Sequence, residues 1–121
     1  MEAQEINMKL ATEIMGWKLD KTQYLTKEKH KGGRKLFHHF IMFKNEWNPY
    51  EKIAQAFMCL HKWLEGHPDR GYELMNVFWT DKNNNETVFL LYNESKQYRD
   101  IKSTGHESQA ICDCLIKAIT I

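Results

Sequence analysis

The chain has 121 residues, of which 42% are hydrophobic, 27% charged and 12% aromatic, and its formal net charge is +1. That length suits one self-sufficient core, so residues 1–121 are read as a single domain. The near-zero charge provides no overall field for nucleic acid, no apolar run reaches the roughly 20 residues of a membrane helix, and two prolines with six glycines exclude a disordered or repetitive chain.

The opening "MEAQEINMKL" is acidic and lacks the basic-then-apolar order of a secretory leader, so a cytoplasmic location is expected. There the three cysteines, Cys59, Cys112 and Cys114, should be reduced, and an odd count argues against a disulfide framework.

From Ala3 to Met15, Ile6, Leu10 and Ile14 recur at four-residue spacing, which predicts an amphipathic helix with Gly16 just past its end. Trp17 and Leu19 alternate with Lys18 and Asp20 as in a short strand. A polar loop containing "KEKHKGGRK" follows, then "LFHHFIMFK" at 36–44, which reads as one strand able to pair with 17–24. Its alternation sets Phe37, His39, Ile41 and Phe43 on one face and Leu36, His38, Phe40 and Met42 on the other.

"NPYE" at 48–51 predicts a helix capped by Asn48 with Pro49 in its first turn, running to about Leu64. Ile53, Phe57, Leu60 and Leu64 form its expected apolar stripe, with Ala54, Ala56 and Trp63 beside them. Aromatic and branched residues at 72–80 and 87–92, around the polar "DKNNNE", predict a hairpin, and Tyr98–Ile101 is the candidate for a short further strand. Thr104 with Glu107 makes a capping-box pattern for a last helix, whose inward stripe would be Ile111, Cys114, Leu115 and Ala118. The expected class is α+β: helices on a mostly antiparallel sheet of about four to five strands, order α-β-β-α-β-β-(β)-α, a sandwich.

Three stretches together, "IMGW" at 14–17, "WNP" with "IAQAF" at 47–57, and "SQAICDCLIKAI" at 108–119, resemble the phage ABA-sandwich domain family of small phage and prophage proteins. The resemblance spans nearly the whole chain in the same order. It implies helix and sheet layers, a host-cell cytoplasm, and no catalytic residues, since the family has no established activity. The basic "KEKHKGGRK" segment and the tandem His38-His39 depart from the family pattern.

No metal or other cofactor is expected. Cys112 and Cys114 sit two apart in a predicted helix, so their side chains diverge by about 200° and cannot share one tetrahedral ion. Cys114 is expected in the core and Cys112 at the stripe's margin. His38 and His39 point to opposite strand faces and make no chelate; His39, among apolar neighbours, reads as a core histidine, and a catalytic base is the weaker alternative. Asp81 and Glu86 read as solvated residues flanking a turn rather than an acid/base pair. The remaining candidate is the basic loop, with five Lys or Arg among residues 27–35. Lys29, Lys31, Gly32, Gly33, Arg34 and Lys35 combine cations with glycine amides, a chemistry that holds phosphate, although the Walker spacing and its following helix are missing.

The expected function is a non-enzymatic accessory protein that binds a host or phage protein or forms a homodimer. The alternative is a small phosphorylated-ligand or nucleotide binder using the Gly-Gly loop. Neither sequence-specific nucleic-acid binding nor membrane association is expected. Most of the four tryptophans are expected in the core, and any that cluster at the surface would mark an interface.

Overall fold

The computed structural model describes residues 1–26, 29–31, 34–36, 39–67, 69–93, 96–103 and 105–120, with backbone alone for 29–31, 34–36, 93, 101 and 103. The fold is α+β. Its first helix, α1 (Ala3–Lys9), widens into a π-helical stretch at Leu10–Ile14. Thr12 lies within that stretch and its hydroxyl donates to the Met8 carbonyl at 3.0 Å, a side-chain bond that competes with the α ladder. The Met15 N–H closes the last turn on the Leu10 carbonyl at 3.0 Å, and Gly16 follows at φ +73°, as expected of a residue just past a helix end.

Among the described residues five short strands, where two were expected, precede the second helix. β1 (Trp17–Asp20) and β2 (Gln23–Thr26) form a tight hairpin, and β5 (Phe40–Phe43) pairs with β2, giving a three-stranded antiparallel sheet in the order β1-β2-β5. The segment read as a polar loop contains a second hairpin of β3 (Lys29–Lys31) and β4 (Arg34–Leu36), with Lys31 opposite Arg34. The expected single strand across 36–43 is therefore interrupted. His39 is exposed rather than in the core: its N–H donates to Thr26 Oγ1 at 2.8 Å and its carbonyl accepts the Thr26 N–H at 2.9 Å. His38 lies outside the described residues.

The second helix, α2, spans Ile53–Glu65. It does not begin at Asn48, because that side chain is engaged elsewhere, and residues 48–52 make a separate turn closed by Lys52 N–H on the Asn48 carbonyl at 2.8 Å. Its buried face is Ala56, Cys59, Leu60 and Trp63, while Ile53 is exposed and Phe57 and Leu64 flank the core. Packing against α3 and the π-helical stretch sets the inward arc, which takes in Leu60 of the predicted stripe and the positions beside it, Ala56 and Trp63.

β6 (Arg70–Trp79) and β7 (Asn84–Asn93) form the expected hairpin, longer than predicted and in unbroken register from Arg70↔Asn93 to Trp79↔Asn84. β8 (Lys96–Ser103) completes a sheet in the order β6-β7-β8. Among the described residues two three-stranded sheets and the two-stranded β3–β4 hairpin thus replace the single larger sheet expected. The last helix, α3 (Glu107–Ile119), opens after Gly105 at φ +94°; the predicted cap Thr104 lies outside the described residues.

α3 packs on β7 and β8 with one face and against α2 with another, and the π-helical stretch joins α2, α3 and β1. Its buried arc is wide: Ala110, Ile111, Cys112, Cys114 and Leu115 are all fully enclosed, so Cys112 is in the core rather than at a margin. Phe89 and Leu91 face this core from β7. Val88 and Leu90, on the opposite face of the same strand, are buried outside the core cluster.

Candidate functional site

Two features stand out: an amide-lined pocket beside α1, and the outer strand β6. The pocket has a volume of about 580 Å³, within the range of small-ligand sites. Its walls come from three separated stretches: Gln4 and Asn7 on α1, Thr22 and Tyr24 around the start of β2, and Phe43, Lys44, Asn45, Trp47 and Asn48 from the end of β5 onward.

A network fixes these stretches to one another. Asn7 donates through Nδ2 to Asn48 Oδ1 at 3.0 Å and accepts the Tyr50 N–H at 3.0 Å. Its backbone carbonyl accepts the Trp47 indole N–H at 2.8 Å. The Asn48 N–H donates to Gln55 Oε1 at 2.6 Å, and Gln55 Nε2 donates to the Glu46 carbonyl at 2.9 Å. Trp47 is buried edge-on to Trp17, with ring centroids 4.7 Å apart. Helix and turn are therefore tied by side chains some forty residues apart in sequence, and the pocket wall is pre-formed.

The groups left toward the pocket are neutral or cationic. Gln4 and Asn45 amides and the Lys44 ammonium have no hydrogen-bond or ion-pair partner among the described residues. Tyr24 is only 1% exposed, yet its hydroxyl is also without a partner among those residues. Leaving a buried polar group unpaired costs about 1–3 kcal/mol. Burial raises the Tyr24 pKa, so the phenol is a neutral donor at ordinary pH. Phe43 is 46% exposed at the rim, with Phe40 edge-on to it at 5.1 Å.

The predicted basic residues lie elsewhere. The β3–β4 hairpin leaves the sheet after Thr26 and returns at His39, the end of β2 and β5 away from Thr22 and Lys44. Lys29, Lys31, Arg34 and Lys35 are described by backbone alone, and Gly32 and Gly33 lie outside the described residues. Nothing in the described structure brings the hairpin to the pocket. The pocket was not legible in sequence, because Gln4 and Asn45 look like ordinary surface amides until the fold joins them.

The second feature is β6. It is the outer strand of its sheet among the described residues, and α3 lies over β7 and β8 rather than over it. Tyr72 and Phe78 on its helix-side face and Met75 and Trp79 on its outer face are exposed, Phe78 to 54%. Trp79 is the exposed member of the four tryptophans; its indole donates to Glu86 at 3.1 Å, and the Lys82 ammonium sits 5.7 Å from its ring.

A charged cluster joins α3 to β8. Lys102 meets Asp113 at 2.7 Å and Asp100 at 3.6 Å, Lys117 meets Asp100 at 3.1 Å, and the Tyr50 hydroxyl donates to Asp113 at 3.1 Å. Its hydrogen bond to Asp113 holds Lys102 charged, raising its pKa against the effect of burial, while burial followed by Asp113 raises that of Tyr50. Charges balance within the cluster, which reads as a fastening.

Burial pushes the thiols of Cys59 and Cys114 up to about 12 and raises that of Cys112 as well, far from the range of a nucleophile. Among the described residues no three His, Cys, Asp or Glu converge as a metal site, and no helix is long and apolar enough to cross a membrane. No family model, curated protein or solved structure matches the chain.

Proposed function

We propose that the protein acts by binding, as a phage or prophage accessory protein, and that strand β6 is its binding surface. The phage assignment comes from the family resemblance of the Ile14–Trp17, Trp47–Phe57 and Ser108–Ile119 stretches. The binding surface is supported by one observation: a ten-residue edge strand that exposes Tyr72, Met75, Phe78 and Trp79.

A strand edge offers unpaired N–H and C=O groups to any extended chain. Proteins that stay monomeric blunt long edges with lysine, proline or bulges. "RGYELMNVFW" contains neither residue, and its register with β7 has no break. The partner can be a host or phage protein, but a second copy fits the sequence of β6 closely. Antiparallel self-pairing centred on Met75 sets Tyr72 opposite the partner's Phe78 and Gly71 opposite the partner's Trp79, each twice by symmetry. Cross-strand aromatic pairs contribute roughly 0.2–1 kcal/mol each. At Gly71 an added Cβ would meet nothing within 4 Å, so the space for an indole is open.

Light scattering over a concentration series tests this reading. A dimer is expected at high concentration, with Phe78→Ser and Trp79→Ser each shifting it toward monomer while circular dichroism stays unchanged. A strict monomer at every concentration, or a dimer indifferent to both replacements, contradicts self-pairing.

The alternative, a phosphorylated ligand held by the basic Gly-Gly loop, depends on Lys29, Lys31, Arg34 and Lys35, whose side chains are outside the described set.

A further inference from the structure

We infer that the pocket between α1 and the turn after β5 is a nucleotide site, with the base held by side-chain amides and the phosphate by Lys44. This rests on the alternative reading only for its ligand class; the site is a different one, and it is independent of β6.

The lining selects the ligand by chemistry. No carboxylate is among the described residues that line the pocket, and the neighbouring Glu46 carboxylate is engaged by the Phe43 N–H at 3.1 Å, so a metal ion or a cationic ligand is poorly matched there. The polar groups are instead carboxamides, from Gln4, Asn7, Asn45 and Asn48. Each carboxamide presents a donor and an acceptor side by side, the arrangement that reads the paired donor and acceptor on a base edge. Asn7 and Asn48 are held by the hydrogen bonds that build the wall, whereas Gln4 and Asn45 remain available among the described residues.

Two observations beyond the cavity point to an occupant. Tyr24 is buried, lines the pocket and has an unpartnered hydroxyl among the described residues, which a ligand acceptor would satisfy. Phe43 exposes its ring at the rim and is braced edge-on by Phe40, which gives a flat group a face to stack on. The next residue, Lys44, has a free ammonium among the described residues, suited to a phosphate at the mouth. The volume of about 580 Å³ accommodates a mononucleotide.

Isothermal titration with AMP, GMP, CMP and UMP tests the assignment, with adenosine, ribose 5-phosphate and inorganic phosphate as controls. At least one mononucleotide should bind more tightly than any control. Lys44→Ala and Asn45→Asp should each weaken it at least tenfold, and Arg34→Ser with Lys35→Ser should leave it unchanged. Tyr24→Phe should weaken binding while the free protein stays at least as stable, since an unpaired hydroxyl is removed. Silence from all four nucleotides at millimolar concentration overturns the proposal. So does equal binding of ribose 5-phosphate or inorganic phosphate, which would remove the base from recognition. Binding that survives both pocket replacements but is lost in the Arg34/Lys35 variant overturns it too, and returns the site to the hairpin.

Discussion

Cys112 and Cys114 lie on opposite sides of α3: Cys112 is close enough to Cys59 of α2 for the two thiols to interact, whereas Cys114 meets the backbone of Leu91 on β7. Two residues two apart on a helix diverge by about 200°, and here that angle spans the two layers that α3 separates. The pair fastens one helix to two neighbours, and its chemistry is that of small apolar groups.

The thiols should therefore be inert in the native state. All three cysteines are buried and unpaired. An aromatic disulfide reagent should label none of them in native buffer and all of them in denaturant. Rapid labelling of even one native thiol contradicts this packing. Cys112→Ser should cost about 1–3 kcal/mol in urea unfolding, because a hydroxyl that must be desolvated replaces a small apolar group in a fully enclosed site, even where it bonds back to the carbonyl one turn earlier on α3.

Stability should fall at alkaline pH. Folding raises the pKa of Cys59, Cys112, Cys114, Tyr50 and Lys102, so the folded state holds these protons more tightly than the unfolded one. A raised value contributes stability that is complete below the unfolded pKa and is lost as pH rises through the folded one. For the thiols that window opens near the ordinary value of 9.0 and runs to about 12. Each such group contributes a slope of up to about 1.4 kcal/mol per pH unit. Urea midpoints measured from pH 8 to 11 should drop steeply above 9; a flat profile contradicts it.

Asn7→Ala should destabilise the fold by about 1–3 kcal/mol, since it unpairs Asn48 Oδ1 and the Tyr50 N–H together. Gln4→Ala, one turn earlier on the same helix, should change stability little. Equal losses from the two would mean that the Asn7 network does not hold the turn to α1.

Lys21→Gly should stabilise by about 1 kcal/mol. Lys21 turns the β1–β2 hairpin at φ +57°, a left-handed conformation that glycine adopts without a Cβ clash. Chemical denaturation of both forms decides it, and a loss of stability refutes the strain.

That same lysine explains why part of the fold was hidden in the sequence. The β6–β7 hairpin was legible because aromatic and branched residues flank "DKNNNE", with Asn83 in the left-handed region. Lys21-Thr22 carries no such signal, so β1–β2 was read into one strand and a loop. α2 was misplaced for a tertiary reason: Asn48 looks like a cap, but its side-chain oxygen, Oδ1, accepts from Asn7 Nδ2 instead. The stripe on α3 was found but drawn too narrow, since a helix between two layers buries more than one face. Most of the tryptophans were expected in the core, and Trp47 and Trp63 are buried there, while Trp79 is exposed. The pocket was out of reach, because it exists only where three distant segments meet.

The central claim, that β6 pairs with a second copy about Met75, is tested most directly by a single cysteine. A residue on the two-fold axis of an antiparallel pair faces its own copy at a Cα separation of roughly 4.5–5.5 Å, inside the range of a disulfide. The native thiols are buried, so Met75→Cys would introduce the exposed one. Under mild oxidation Met75→Cys should give a covalent dimer in high yield, while Glu73→Cys, displaced from the axis, should not. If Met75→Cys stays monomeric, or Glu73→Cys links equally well, the proposed pairing is wrong.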